Sequence, residues 1–237
     1  MFHADADTAL ALSVAHAALA TVTLWAVSAA LSIALALMLA HGMHGSGPLV
    51  RRGAGAIVNA TRGVPTSMLV LAAGMLAMAS GGGLPVPAIF TGTIGPFQHV
   101  AWAIAAALAL GSCGHLAVIF HAAYGALDAG RRDQLLLLAH HPVRKAAILL
   151  REVLGIVLPP TGARLVHHLH NTAFASLFPV AELFGLIRGQ SEASAQVFLF
   201  AAVGALTYAG LSLGIWALVR GLEAALVPPV RTAEAAP

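Results

Sequence analysis

The chain has 237 residues, of which 59% are hydrophobic and only 9% are charged. Soluble domains usually carry about 25% charged residues, so this composition excludes an ordinary soluble domain and indicates an integral membrane protein. The net charge of +3 does not indicate a nucleic-acid partner, because the basic residues are spread between apolar stretches. The single cysteine, Cys113, excludes a disulfide framework.

Long apolar stretches predict the membrane spans. A helix needs about 20 residues to cross the hydrocarbon core, and five stretches approach or exceed that length. Pro159 and Pro160 interrupt the fourth stretch, so we expect its helix to begin near them. We therefore predict an all-α integral membrane protein with a single domain. Its five transmembrane helices are expected near residues 16–40, 64–79, 100–127, 157–180 and 197–226.

The basic residues predict the orientation of the chain. Arg51, Arg52 and Arg62 fall in the loop expected after the first span, and most other basic residues follow the third span or the fifth. Cytoplasmic segments of membrane proteins carry an excess of arginine and lysine. We therefore expect the N-terminus outside and the C-terminus in the cytoplasm.

The densest cluster of charges lies in the loop of residues 128–152, after the third span. An unpaired charge in hydrocarbon costs several kcal/mol, so this loop belongs in water. Leu135 and Leu138 can form one face of a helix there, with Arg144 and Lys145 on another. The loop therefore predicts a cytoplasmic amphipathic helix that contacts a soluble partner.

The fourth span carries the polar side chains that are the best candidates for a solute path. Polar groups at membrane depth usually face the bundle interior or water, and Arg164 could meet a carboxylate of the solute. Hydrogen bonding between helices is the alternative for each of these residues. The candidate path residues are Arg164, Asn171, Thr172 and Ser176.

Other motifs suggest different functions. The histidines His99, His115 and His121 could be haem ligands, and the pattern H-H-x-H in the fourth span invites a metal. No carboxylate or cysteine lies near enough in sequence to complete a closed metal site. Ser112, in the sequence G-S-C-G, offers a weak resemblance to an intramembrane serine protease, although small residues there also serve helix packing. We expect no metal and no catalytic residue on this chain.

An ordered set of motifs resembles one transporter family. The segment from Leu158 to Leu183 reads LPPTGARLVHHLHNTAFASLFPVAEL, the sequence Arg62-Gly63-Val64-Pro65 precedes the second span, and Thr23-Leu24 lies in the first. Together they resemble the permease subunits of bacterial ABC importers, in the branch that takes up polar amino acids. The resemblance covers most of residues 16–226.

In that family the cytoplasmic loop holds a coupling helix that docks into a separate ATPase. Asp133-Gln134-Leu135 stands where the family has E-A-A, and Ala139 stands at a glycine position, so the chain resembles a divergent member. The residues that the resemblance assigns to ATPase coupling are Gly130, Asp133, Gln134, Leu135 and Ala139.

The resemblance implies a permease subunit of an ATP-driven importer in the bacterial inner membrane, for a small polar solute such as an amino acid. ATP and Mg²⁺ would be bound by a cytoplasmic ABC ATPase dimer, with no cofactor on this chain. The other implied partners are a periplasmic or extracellular solute-binding protein, a second permease subunit (a second copy or a paralogue) and membrane lipid. The alternative is a membrane anchor without transport activity, or a haem-bearing electron-transfer subunit.

Overall fold

The computed structural model describes residues 2–45, 47–81, 86–90, 97–126 and 141–226. In this part of the chain the regular structure is helical, with seven α-helices and one 3₁₀ helix. In chain order these are α1 (Phe2–Gly45), α2 (Pro48–Gly63), α3 (Thr66–Ala79), α4 (Gln98–Gly125), α5 (Pro142–Asn171), the 3₁₀ helix (Thr172–Leu177), α6 (Leu183–Ser194) and α7 (Val197–Leu226).

Three of these helices are long and apolar enough to cross a membrane. They contain the stretches Thr8–His44 in α1, Gln98–Ala123 in α4 and Val197–Leu226 in α7. Helices α2 and α3 together pass the same test as one span bent by 92°. The predicted class, an all-α membrane protein, is confirmed, whereas the count of five spans stays a prediction.

Two local features differ from the sequence-based expectation. The loop expected around Arg51 and Arg52 is the helix α2, because Ala54 and Val58, four residues apart, bury one face of it against the bundle. The fourth apolar stretch does not begin its helix near the prolines. Pro159 and Pro160 lie inside α5, which starts at Pro142, and the proline rings remove only two amide donors from an otherwise continuous helix.

Helix α4 lies at the centre of the bundle, and two apolar clusters form along it. The first surrounds the N-terminal half of α4 and includes Val100 and Leu108, together with Leu24 of α1. The second surrounds the C-terminal half and joins Leu116 of α4 to Val58 of α2. This second cluster therefore lies at one end of the bundle, where α2 packs against α4. The segment of α4 between the clusters contains Gly111 and Ser112.

A close contact between α4 and α2 depends on Gly114. A Cβ atom at this position would lie 2.9 Å from the carbonyl oxygen of Val58 and 3.0 Å from Cγ of Arg62. Because the Val58 carbonyl belongs to a helix backbone, it cannot move aside without displacing α2. We expect Gly114→Ala to destabilise the protein by about 1–3 kcal/mol, measured as a lower Tm in detergent. The matched control is Gly210→Ala, where nothing lies within 4 Å of the added Cβ; an equal drop in Tm for both variants would contradict the prediction.

Candidate functional site

A buried chain of polar side chains joins α1, α4 and α5 at the middle of the bundle. The imidazole of His168 contacts two serines: its Nδ1 lies 2.7 Å from Oγ of Ser112, and its Nε2 lies 2.8 Å from Oγ of Ser28. All three side chains are at most 1% exposed. Since an unpaired polar group is costly in an apolar interior, these contacts hold three helices in one register.

The neighbouring groups indicate where the protons lie in this chain. Arg164 can only donate, and its Nη2 lies 3.2 Å from Oγ of Ser112. The Ser112 hydroxyl therefore accepts from Arg164 and donates to Nδ1 of a neutral His168. Nε2 of His168 then donates to Ser28, whose own hydroxyl donates to the carbonyl of Leu24 at 2.7 Å. In this arrangement the protons of Ser112, His168 and Ser28 each have an acceptor.

Arg164 is a half-buried cation in the same region. Its Nη2 donates to the carbonyl oxygen of Gly111 at 2.8 Å, and its Nε makes no hydrogen bond. Among the described residues, the salt bridges involve Arg188 and Arg220 but not Arg164. The protein therefore surrounds this guanidinium with neutral groups, an arrangement that favours a ligand with a negative charge.

His167 and Asn171 extend the cationic group towards an exposed edge of α5. Nδ1 of His167 lies 3.2 Å from Nη1 of Arg164 and 3.4 Å from Nδ2 of Asn171. Because arginine is only a donor, this Nδ1 accepts and the other ring nitrogen of a neutral His167 carries the proton. The imidazole is exposed. Arg164, His167 and Asn171 therefore form a polar, cationic edge that a small anionic group could reach.

Thr172 and Ser176, two of the predicted path residues, are not part of this edge. The Thr172 side chain is fully buried and donates to the carbonyl of Leu169 at 2.7 Å. The Ser176 carbonyl accepts from Nη2 of Arg188 at 3.3 Å, in the 3₁₀ helix that follows α5. The structure thus brings Arg164 and Asn171 together through His167 and places Thr172 and Ser176 beyond them. The role of all four in a path stays a prediction.

Glu182 has a carboxylate that accepts three hydrogen bonds from described residues. It was not identified as a site residue from the sequence. It precedes α6, and its two oxygens accept from the backbone N–H groups of Phe184 and Gly185 at 2.8 and 2.7 Å. The Tyr208 hydroxyl of α7 donates to the same carboxylate at 3.2 Å. The side chain is fully buried. Glu182 therefore caps α6 and ties it to α7.

The burial of Glu182 makes the stability of the protein depend on pH. Desolvation raises the pKa of this carboxyl from 4.5 to about 7, against the opposing effect of its N–H donors. A carboxyl group whose pKa is higher in the folded state than in the unfolded state stabilises the folded state. This stabilisation is complete below the pKa of the unfolded state and is lost as the pH rises through the pKa of the folded state. Its contribution should therefore decrease between about pH 4.5 and about pH 7, by at most about 1.4 kcal/mol per pH unit.

Thermal unfolding across this pH range, compared between the wild type and Glu182→Gln, measures the effect. We expect the difference in Tm, wild type minus variant, to become smaller as pH rises, because the glutamine does not titrate. The control is Glu192→Gln, since the Glu192 side chain is exposed and pairs with Arg188 on the surface. A constant difference for Glu182→Gln over the whole range would contradict the prediction.

The five residues assigned to ATPase coupling, Gly130, Asp133, Gln134, Leu135 and Ala139, lie outside the described residues. Their role stays a prediction, as does the amphipathic helix itself. The structure describes only the final part of the loop of residues 128–152, where α5 has already begun.

The metal and protease alternatives find no geometry to support them in the described part of the chain, whereas the haem alternative stays a prediction. No group of three His, Cys, Asp or Glu residues is arranged there to hold a metal ion. Nε2 of His99 contacts the carbonyl oxygen of Ala77 at 3.1 Å, as expected for a histidine in a packing role. Ser112 does contact a histidine, but both side chains are buried and the second nitrogen of His168 faces Ser28 rather than a carboxylate.

The fold matches that of a solved structure. No protein-family model matches the sequence, and no curated protein matches it. The structure is similar to a chain in the crystal structure of an amino acid ABC transporter with histidines, with a TM-score of 0.72 and 18% sequence identity. The match covers 93% of this chain and 97% of the other. The chain therefore has the fold found in that amino acid ABC transporter, which confirms at the level of the fold the resemblance seen in the sequence.

Proposed function

We propose that the chain is the permease subunit of an ATP-driven ABC importer and forms the membrane path of a small polar solute that bears a carboxylate, such as an amino acid. The observation that carries the proposal is the match of nearly the whole chain to an amino acid ABC transporter. The resemblance from Leu158 to Leu183 supports it independently, because it was found from residue identities alone.

The solute path is placed at the edge formed by Arg164, His167 and Asn171. Arginine presents several N–H donors in a plane, a geometry suited to carboxylates. The absence of a salt bridge to Arg164 among the described residues leaves its charge for a solute. The buried hydroxyl of Thr172, bound to its own helix, favours a packing role for that residue, so the proposal rests on Arg164 and Asn171.

ATP binding is assigned to a separate ABC ATPase dimer. Lys145 is the only lysine of the chain and is not part of the G-x-x-x-x-G-K pattern that cradles phosphates. Residues 128–152 would contact that ATPase from the cytoplasmic side of a bacterial inner membrane, with the N-terminus outside. A solute-binding protein on the outer side and a second permease subunit would complete the importer.

Uptake measurements test the proposed function. In a strain that lacks the gene, uptake of at least one member of a labelled amino-acid panel should be lost, and a plasmid copy should restore it. Wild-type uptake of every member of the panel in the deletion strain would contradict transport of amino acids.

Cross-linking in native membranes tests the coupling residues. With Cys113 replaced by alanine, Ala139→Cys should form a cross-link to an ATPase, and the yield should change when ATP is added. Gly210→Cys on α7 is the matched control, because this position is exposed on a helix far along the chain from the loop. The absence of any ATP-sensitive product at position 139 would contradict the proposed coupling.

A further inference from the structure

Helix α2 carries a cationic face next to the face that it buries in the bundle. At about 100° per residue, Arg51, Arg52 and Arg62 fall within one sector about 100° wide. All three are exposed, and the helix contains no acidic residue in its first turn or elsewhere in its sequence, PLVRRGAGAIVNATRG. Ala54 and Val58, which contact the bundle, occupy a neighbouring sector.

The opposite side of α2 is apolar and exposed. Leu49, Val50 and Ile57 are 82%, 54% and 51% exposed. On the same helical geometry they fill a sector about 100° wide that lies roughly half a turn from the arginines. The helix therefore has three faces: one against the protein, one cationic, and one apolar and exposed. A helix that lies along the surface of a membrane beside a bundle needs these three faces in this order.

The direction of α2 agrees with this placement. It meets the apolar helix α3 at an angle of 92°, with the break at Val64 and Pro65. If α3 runs across the bilayer, α2 runs in its plane. The contact of Val58 with the second apolar cluster places α2 at one end of the bundle rather than at its middle.

We propose that α2 is an interfacial helix that binds the headgroups of anionic phospholipids through Arg51 and Arg52, while Leu49, Val50 and Ile57 insert among the acyl chains. The charge of the helix selects an anionic headgroup over a zwitterionic one, and its exposed apolar face selects a bilayer over free phosphate. The site is separate from the Arg164 edge and does not depend on transport.

Quenching by spin-labelled lipids tests the proposal on the full-length chain in nanodiscs. A bimane fluorophore is placed at Ile57→Cys in a Cys113→Ala background. Phosphatidylcholine with a doxyl label on its acyl chain should quench it, and doxyl phosphatidylglycerol should quench it more strongly. We expect the preference for phosphatidylglycerol to decrease about fivefold for each arginine replaced by glutamine, and to decrease as salt is raised.

Two further variants separate charge from folding. Arg51→Lys with Arg52→Lys should keep most of the preference, and Arg188→Gln, which removes an arginine on α6, should leave it unchanged. The proposal would be overturned if the two lipids quenched the wild type equally, or if neither lipid quenched it. It would also be overturned if the preference for phosphatidylglycerol survived the double variant Arg51→Gln with Arg52→Gln. Loss of the preference on addition of millimolar glycerol phosphate would also overturn it, because the arginines would then bind free phosphate.

Discussion

Arg164→Gln is expected to lower the maximal rate of solute uptake by about 10- to 100-fold, the effect of losing a hydrogen bond to a charged group in a shielded site. Arg164 is the only charged residue among the path candidates, and it makes no salt bridge to the described residues, so a solute carboxylate would supply the missing partner. The apparent KM should change little, because in the proposed importer the external binding protein captures the solute. Uptake of labelled solute at matched protein abundance measures both constants.

Two comparisons show whether the charge of Arg164 is the cause. Arg164→Lys keeps the cation but loses the planar set of donors, so it should recover part of the rate. His170→Gln changes an exposed residue of the same helix that contacts Ser212, and it should leave uptake near the wild-type level. A normal rate for Arg164→Gln in a correctly folded protein would remove Arg164 from the path.

The charge of Arg164 also predicts which solutes are favoured. Arg164 contacts the carbonyl of Gly111, the hydroxyl of Ser112 and the neutral imidazole of His167. A second positive charge on the solute would be repelled in a site of low dielectric constant. We therefore expect neutral or acidic amino acids to be taken up faster than basic ones.

The sequence predicted the class of fold and one element of the site, for reasons that are local. Apolar stretches long enough to span a bilayer are a property of composition, and an arginine within such a stretch is costly enough to attract attention wherever it occurs. Asn171 was identified as a polar residue in the fourth apolar stretch, and in the helix its amide contacts the imidazole of His167, four residues earlier. Local spacing did not reveal that Thr172 points into the packed interior, away from the Arg164 edge.

The remaining parts of the site depend on contacts between distant segments. Ser28 and His168 are 140 residues apart in the chain, and serine is common in membrane helices, so no pattern distinguished Ser28 from its neighbours. Glu182 could have been identified, since an acidic residue directly before an apolar helix is a typical N-cap. Its full burial, however, depends on Tyr208 from another helix. Tertiary packing, rather than sequence pattern, selects these residues.

His168→Leu is expected to destabilise the protein by about 1–3 kcal/mol. The variant loses two hydrogen bonds between membrane helices, and each such bond contributes about 0.6–1.7 kcal/mol. The leucine leaves the Ser112 hydroxyl without the acceptor at 2.7 Å, whereas Ser28 keeps its bond to the carbonyl of Leu24. Most of the cost should therefore fall on the contact between α5 and α4. Thermal unfolding in detergent, together with the single variants Ser28→Ala and Ser112→Ala, measures the loss.

A double-mutant cycle identifies the origin of that loss. Ser112→Ala should cost less in the His168→Leu background than in the wild type, because the bond it removes is already absent; strictly additive effects would contradict a direct interaction. His167→Leu provides the contrast, since the exposed His167 is bound only at its Nδ1 edge. It should leave the Tm nearly unchanged and instead reduce uptake. These measurements would then assign different roles to two adjacent histidines of α5: His168 stabilises the helix bundle, and His167 faces the solute.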